Sequence, residues 1–240
     1  MIDLARPDGR PLVVGHRGAP ADAPENTLDG FRAAAVLGVD LIEFDVLPLP
    51  GSQIVVAHSL AEVAPGQLSF AEALTWFAAE APDVGLHVDF KGGERVEDVV
   101  ELLTRHGVEK RAVLSSASPS VLHTAGLVSS GLRLALTYPD DRLGIARRRF
   151  TRPVIEVGLE VLRALLPRRL PGLVRRHRAG ALMLQHRVVS RAAVARAHAL
   201  GVPVLAWTVD DPADVERVVD AGVDGVITND PRNLLATLAP

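Results

Sequence analysis

Glu43-Phe44-Asp45 and Asp89-Phe90-Lys91 place ionisable side chains two residues apart inside otherwise apolar runs, DLIEFDV and GLHVDFK. In an extended strand, residues i and i+2 face the same side. Glu43 and Asp45 therefore point the same way, and two like charges on one buried face repel unless a cation joins them. Asp89 offers a third carboxylate, with Lys91 as a fixed positive charge beside it. An all-oxygen donor set suits a hard divalent cation, Mg2+ or Ca2+, rather than zinc. An internal salt-bridge network, Arg17 and Lys91 against Glu43, Asp45 and Asp89, is the alternative. Burying that many charges without a ligand is costly.

Two histidines stand at matching places. His16, followed by Arg17, ends the run PLVVGH, and His58 ends QIVVAH. One histidine at a strand end is more often structural. Two that flank a carboxylate cluster make a general acid and base pair. Arg17 supplies a fork and Lys91 a point charge, both suited to a phosphate. A cation, two histidines and two basic groups together point to phosphodiester cleavage. His87 lies inside a strand, with its facing relative to Asp89 and Lys91 left open, and is read as structural. His106, His123, His177 and His198 fall in helices or loops and carry no role. His186, just after an apolar run at 180–184, is a further candidate for the same place.

These side chains need a frame that gathers strand ends. Strand-like runs fall at 12–16, 40–46, 85–91, 112–116, 132–137, 180–184, 203–208 and 224–228, with an extra one at 53–57. Helical patterns at 26–37, 69–80, 94–106, 119–130, 190–200 and 212–221 separate them. Asn26 or Thr27, Ser69, Ser190 and Asp211 are good N-caps. Alternating strands and helices predict a parallel sheet with right-handed crossovers, and eight such units close a (β/α)8 TIM barrel. The C-terminal ends of all its strands share one rim. An open doubly wound sheet is the rival, but the first turn, HRGAPADAPENT, lacks the G-x-G-x-x-G spacing of a dinucleotide site.

Composition narrows the class. The 240 residues carry a net charge of -3, which predicts no general affinity for nucleic acid or anionic membranes. There is no cysteine, which excludes disulfides, thiolate-bound zinc and thiol catalysis. No apolar run reaches transmembrane length, and the N-terminus MIDLARPDGRPLVV is no signal peptide. A soluble, cytoplasmic chain with one domain over 1–240 is expected. Lys91 and Lys110 are the only lysines, so nearly all positive charge is arginine.

Residues 139–179 break the rhythm. Within them 153–166 predicts an amphipathic helix with Ile155, Leu159, Leu162 and Leu166 on one face. Arg147–Arg149 precede it, and Arg168, Arg169, Arg175, Arg176 and Arg178 follow. Two expectations stay open: a helix packed on the barrel with a solvated basic margin, or a lid or peripheral docking patch for phosphate or lipid head groups.

HRG at 16–18, PENT at 24–27, E-F-D at 43–45, His58, D-F-K at 89–91, WTVD at 207–210 and DGVITNDP at 224–231 together resemble the glycerophosphodiester phosphodiesterases. The resemblance covers nearly the whole chain, with the motifs in the family's order. It implies a (β/α)8 barrel and metal-dependent hydrolysis of glycerophosphodiesters to an alcohol and glycerol phosphate. By the same resemblance His16 and His58 are the acid/base pair. Glu43, Asp45 and Asp89 bind Mg2+ or Ca2+, and Arg17 and Lys91 hold the phosphate. Glu25 supports the substrate site and Trp207 walls it beside the glycerol. Three departures stand out: Ser59 where the family often has Asp, Asp89 where Glu is common, and a compact barrel lacking the usual inserted subdomain. A lysophospholipid substrate, or a barrel that binds lipid head groups without turnover, are the alternatives.

Overall fold

The computed structural model describes residues 1–6, 9–139 and 152–239, and the side chains of all of these except 152–156. Arg147–Arg149, singled out above, lie outside the described residues. Nine strands form among the described residues: β1 (Leu12–His16), β2 (Leu41–Pro48), β3 (Ile54–Val56), β4 (Gly85–Phe90), β5 (Ala112–Ser116), β6 (Arg133–Tyr138), β7 (Ala181–Gln185), β8 (Val204–Trp207) and β9 (Gly225–Thr228). Eight of them are parallel neighbours in the order β1, β2, β4, β5, β6, β7, β8, β9, and β9 pairs back onto β1. This is the closed (β/α)8 barrel expected from the sequence. The extra strand β3 runs antiparallel to β2 beyond the ring, with Val46 opposite Val56.

Between the strands lie α1 (Leu28–Leu37), α2 (Phe70–Glu80), α3 (Val96–Arg105), α4 (Pro119–Val128), α5 (Arg152–His177), α6 (Arg191–His198), α7 (Pro212–Asp220) and α8 (Pro231–Leu238). Thr27, not Asn26, caps α1 by accepting from Gly30 N at 3.1 Å. Ser69 and Glu72 close a reciprocal capping box on α2. The last helix, α8, was not expected; its signal was Asp230 followed by Pro231, a side-chain cap and a proline at the first helical turn. No helix of the described residues is long and apolar enough to cross a membrane.

The helix expected at 153–166 runs on to His177, through Pro167 and Pro171. Each proline lacks the amide that would bond one turn back. Leu166 and Leu170, both fully buried, anchor those turns by packing instead. Leu159 and Leu162 face the core as the periodicity indicated.

Alternation sets the inward column of each strand. Leu12, Val14, Leu41, Val113, Ala135, Ala181, Met183, Leu205 and Ile227 form one apolar cluster inside the lower barrel. Leu4 joins it, with Ile2 against its edge, so the first residues stopper the N-terminal mouth. Two residues further along, the same columns become polar: Val14 is followed by His16, Leu41 by Glu43, and Val113 by Ser115. Phe44, between the two carboxylates of β2, faces outward instead. It packs on Phe31 of α1 and Phe77 of α2, with ring centroids 5.3 and 5.4 Å away. The aromatic anchor on one face of β2 thus holds Glu43 and Asp45 on the other.

Candidate active site

Register brings the polar residues together. His16 pairs with Glu43 across β1 and β2, Glu43 with His87 and Asp45 with Asp89 across β2 and β4, and Asp89 with Ser115 across β4 and β5. Oxygens of Glu43, Asp45 and Asp89 all lie within 4.8 Å of one another. His58 arrives from the loop after β3. Its backbone N–H donates to Glu62 at 3.2 Å, and Ser59 Oγ donates to the same carboxylate at 3.2 Å.

Asp45 is the electrostatic hub and is 1% exposed. Lys91 Nζ lies 2.9 Å from Oδ1, His58 Nδ1 3.2 Å from Oδ1, and Asn26 Nδ2 donates to Oδ2 at 3.0 Å. Arg17 Nε is 2.9 Å from Oδ2 but off the hydrogen-bonding direction, so that contact is Coulombic. Burial alone would raise the Asp45 pKa; the His58 hydrogen bond and the Lys91 and Arg17 charges instead hold it well below the usual carboxylate range. Burial also opposes ionisation of Asp89, and the Lys91 charge lowers it. Lys91 is raised in turn by Asp89 and Asp45 against its own burial.

Glu43 is different. Burial first, then the Asp45 and Asp89 charges, push its carboxyl well above the usual range, despite Lys91 and Arg17. Its Oε2 accepts from the Arg17 backbone N–H at 2.9 Å, while the Arg17 and Lys91 side chains close on Asp45. The salt-bridge network considered above therefore forms, but it leaves Glu43 undercompensated. Three carboxylate donors with surplus negative charge fit a hard divalent cation.

Two non-glycine residues in the left-handed region build the wall. Arg17 has φ 54 and Asn26 φ 56. Such strain is tolerated where the surroundings fix it. Asn26 N–H donates to Arg17 O at 3.0 Å, and Asp45 N–H donates to Asn26 Oδ1 at 3.2 Å, so the PENT segment clamps both Arg17 and Asp45. Gly18 sits at φ 99, and a Cβ there would meet the Gly30 carbonyl carbon at 2.6 Å. Glu25 is half exposed and takes a hydrogen bond from Arg17 Nη1 at 3.1 Å, which orients the guanidinium. Trp207 is partly buried over the apolar cluster and donates from Nε1 to Met183 O at 2.9 Å.

Other histidines sort by their contacts. His16 Nδ1 lies 2.7 Å from Asn229 Oδ1, and its Nε2 is 3.8 Å from Glu43 Oε2. Burial lowers its pKa, with the Asn229 hydrogen bond opposing. Asn229 Nδ2 donates to Asp210 at 2.7 Å. His87 faces inward beneath Asp89, fully enclosed, and burial lowers it to about 4. His186 reaches the rim but turns to α7, where Asp214 and Arg217 engage Nδ1 at 3.4 and 3.2 Å. Sequence reasoning did not single out Asn26, Ser115, Asp210 or Asn229 as site residues. PENT, WTVD and TNDP carried three of them, as motif letters without a contact to explain them.

Comparison with known proteins gives the family and agrees with the fold. The model of the Glycerophosphoryl diester phosphodiesterase family matches residues 16–76 and 74–233. The chain belongs to this family, which makes it a phosphoric diester hydrolase. A glycerophosphodiester phosphodiesterase from Caldanaerobacter subterraneus subsp. tengcongensis is 26% identical over 93% of this chain and 96% of its own. The fold matches a Silicibacter pomeroyi protein assigned to the glycerophosphoryl diester phosphodiesterases at TM-score 0.79, with 22% identity, over 98% of this chain and 95% of that one. It also matches an Oleispira antarctica phosphodiesterase, solved with the product sn-glycerol-3-phosphate, at TM-score 0.70, with 18% identity, over 95% and 96%.

Proposed function

We propose that this barrel, acting as one domain over 1–240, is a divalent-cation-dependent phosphodiesterase that hydrolyses glycerophosphodiesters to an alcohol and glycerol phosphate by histidine acid/base catalysis. The observation that carries this is the cluster of Glu43, Asp45 and Asp89 within 4.8 Å, flanked by His16 and His58. These three carboxylates would hold Mg2+ or Ca2+, which when bound supplies positive charge for the phosphate oxygens. Arg17 and Lys91, already at the cluster, add their charge to the same phosphate as its negative charge grows. Glu25 keeps the Arg17 fork in place, and Trp207 walls the glycerol side.

Hydrogen-bond partners suggest a role for each histidine. Asn229 commits its Nδ2 to Asp210, so its Oδ1 faces His16 and accepts from Nδ1–H. The lone pair of a neutral His16 is thereby on Nε2, free to take a proton from the attacking oxygen. His58 Nδ1 sits between Asp45 Oδ1 at 3.2 Å and Arg17 Nη2 at 3.0 Å, which leaves Nε2 as the nitrogen that donates to the leaving alkoxide. His16→Ala and His58→Ala are each expected to lower kcat by about 10²–10⁴-fold on glycerophosphocholine, with product identification as the assay. EDTA should abolish turnover and Mg2+ or Ca2+ restore it; full activity in either variant or in EDTA overturns the mechanism.

A lysophospholipid is the second candidate substrate. A groove of about 670 Å³ runs along α5, lined by Val157, Leu159, Glu160, Val161, Ala164 and Arg187. Val157 and Val161 are 67% and 52% exposed. Arg163 of α5 donates to Val189 O, just past the catalytic end of β7, so the groove lies beside the rim. Val161→Asp should then slow hydrolysis of lysophosphatidylcholine severalfold and leave glycerophosphocholine unchanged. Equal effects on both, or none, exclude acyl-chain binding there.

A further inference from the structure

Asp89 is supported by the two strands next to it. Ser115 Oγ on β5 donates to Asp89 Oδ1 at 2.7 Å, and Thr137 Oγ1 on β6 reaches the same oxygen at 3.3 Å. Lys91 Nζ holds the other oxygen, Oδ2, at 2.5 Å. Behind Ser115 stands His87, its Nε2 2.9 Å from Ser115 Oγ. A serine has one hydroxyl proton. Since Ser115 gives it to Asp89, Oγ must accept from His87, and His87 carries its proton on Nε2. The result is a one-way chain, His87 Nε2–H to Ser115 Oγ–H to Asp89 Oδ1. Ser115 and His87 are almost wholly buried, and His87 Nδ1 has no hydrogen-bond partner among the described residues, so Nε2 is the imidazole's link to its surroundings. An aspartate has a single methylene and keeps its carboxylate against the barrel wall, where a hydroxyl on the neighbouring strand can reach it.

We propose that Ser115, oriented by His87, is a positioning residue for the cation site: it fixes the rotamer of Asp89 so that the remaining lone pair of the carboxylate faces Glu43 and Asp45. This rests on Glu43, Asp45 and Asp89 binding the cation. Partners of metal-ligating groups are worth about 10–100-fold in affinity.

The test is calorimetric titration of the intact protein with CaCl2 and, separately, MgCl2. Ser115→Ala should weaken cation affinity about 10-fold or more, and Ser115→Thr, which keeps the hydroxyl, should recover most of it. His87→Leu should weaken affinity less than Ser115→Ala. The double variant should match Ser115→Ala, because the two residues act in series. Near-UV circular dichroism of Ser115→Ala, which removes one oxygen, verifies folding. Wild-type affinity in folded Ser115→Ala overturns the inference while the cation site stands. Additive losses in the double variant overturn the role of His87. A wild-type protein that binds neither cation overturns the inference together with the metal reading beneath it.

Discussion

The lower and upper halves of the barrel interior are built on the same strands and differ in what they ask of their surroundings. Below, Val14, Leu41, Val113, Ala181, Met183 and Leu205 pack into a closed apolar cluster. Arg133, near the bottom, donates to the carbonyls of Ile2 and Gly180, at 3.0 and 3.2 Å, while its Nε has no hydrogen-bond partner among the described residues. Above, one inward step along the same columns, His16, Glu43, Asp45, Asp89 and Lys91 crowd together. Two stretches of the same strands therefore serve opposite ends. The apolar cluster of the lower half needs no ligand, and its apolar area removed from water stabilises the fold. The upper half holds carboxylates whose mutual repulsion Arg17 and Lys91 offset only in part, a charge balance that fits a divalent cation.

Exchanging a side chain in each half is the strongest way to break this contrast. Asp45→Asn removes the carboxylate shared by Lys91, Arg17 and His58, while Lys91 keeps Asp89 and Arg17 keeps Glu25. It is expected to reduce turnover to background and, because it also relieves repulsion on Glu43, to cost less than about 3 kcal/mol of stability. Leu205→Ala in the lower half should cost about 2–5 kcal/mol but leave kcat per folded molecule near wild type. Chemical denaturation and activity measured on the same samples separate the two. Loss of activity in folded Leu205→Ala would show that the halves are not independent.

A smaller effect sharpens the comparison through pH. The Glu43 carboxyl is raised in the folded state, so the native protein binds more protons than the unfolded chain. In EDTA its contribution to stability is full below the ordinary value of 4.5 and is lost as pH rises through the raised folded value. His87, lowered to about 4, acts oppositely: its contribution is full above the ordinary value of 6.5 and is lost as pH falls toward 4. Comparing Tm against pH for wild type and Glu43→Gln isolates the first effect. The variant should lose less stability than wild type as pH rises above 4.5 in EDTA, and should gain little Tm from Ca2+. Parallel profiles would mean that Glu43 is adequately compensated without a cation.

Much of this site was legible in the residue order. Polar residues closing apolar runs located the polar rim of the barrel, and the E-F-D and D-F-K spacing paired the carboxylates because strands alternate. Asn26, Ser115, Asp210 and Asn229 were not legible as site residues, since an amide or a hydroxyl gains its role from a partner on another strand or loop. His186 shows the converse: its position at a strand end matched the pattern, yet its ring is held by Asp214 and Arg217 on α7. The helix through Pro167 and Pro171 was hidden for a related reason, because local propensity argues against it and the buried Leu166 and Leu170 overrule propensity.

The amino-acid sequence by itself determined the barrel, the rim and the identity of the ionisable groups, because periodicity and strand ends are local properties of the chain. Tertiary structure decided which lone pair or proton each group presents. That polarity depends on hydrogen bonds between residues far apart in the chain, as between His16 and Asn229 or Asp89 and Ser115, and closure of the ring is what brings those partners within reach.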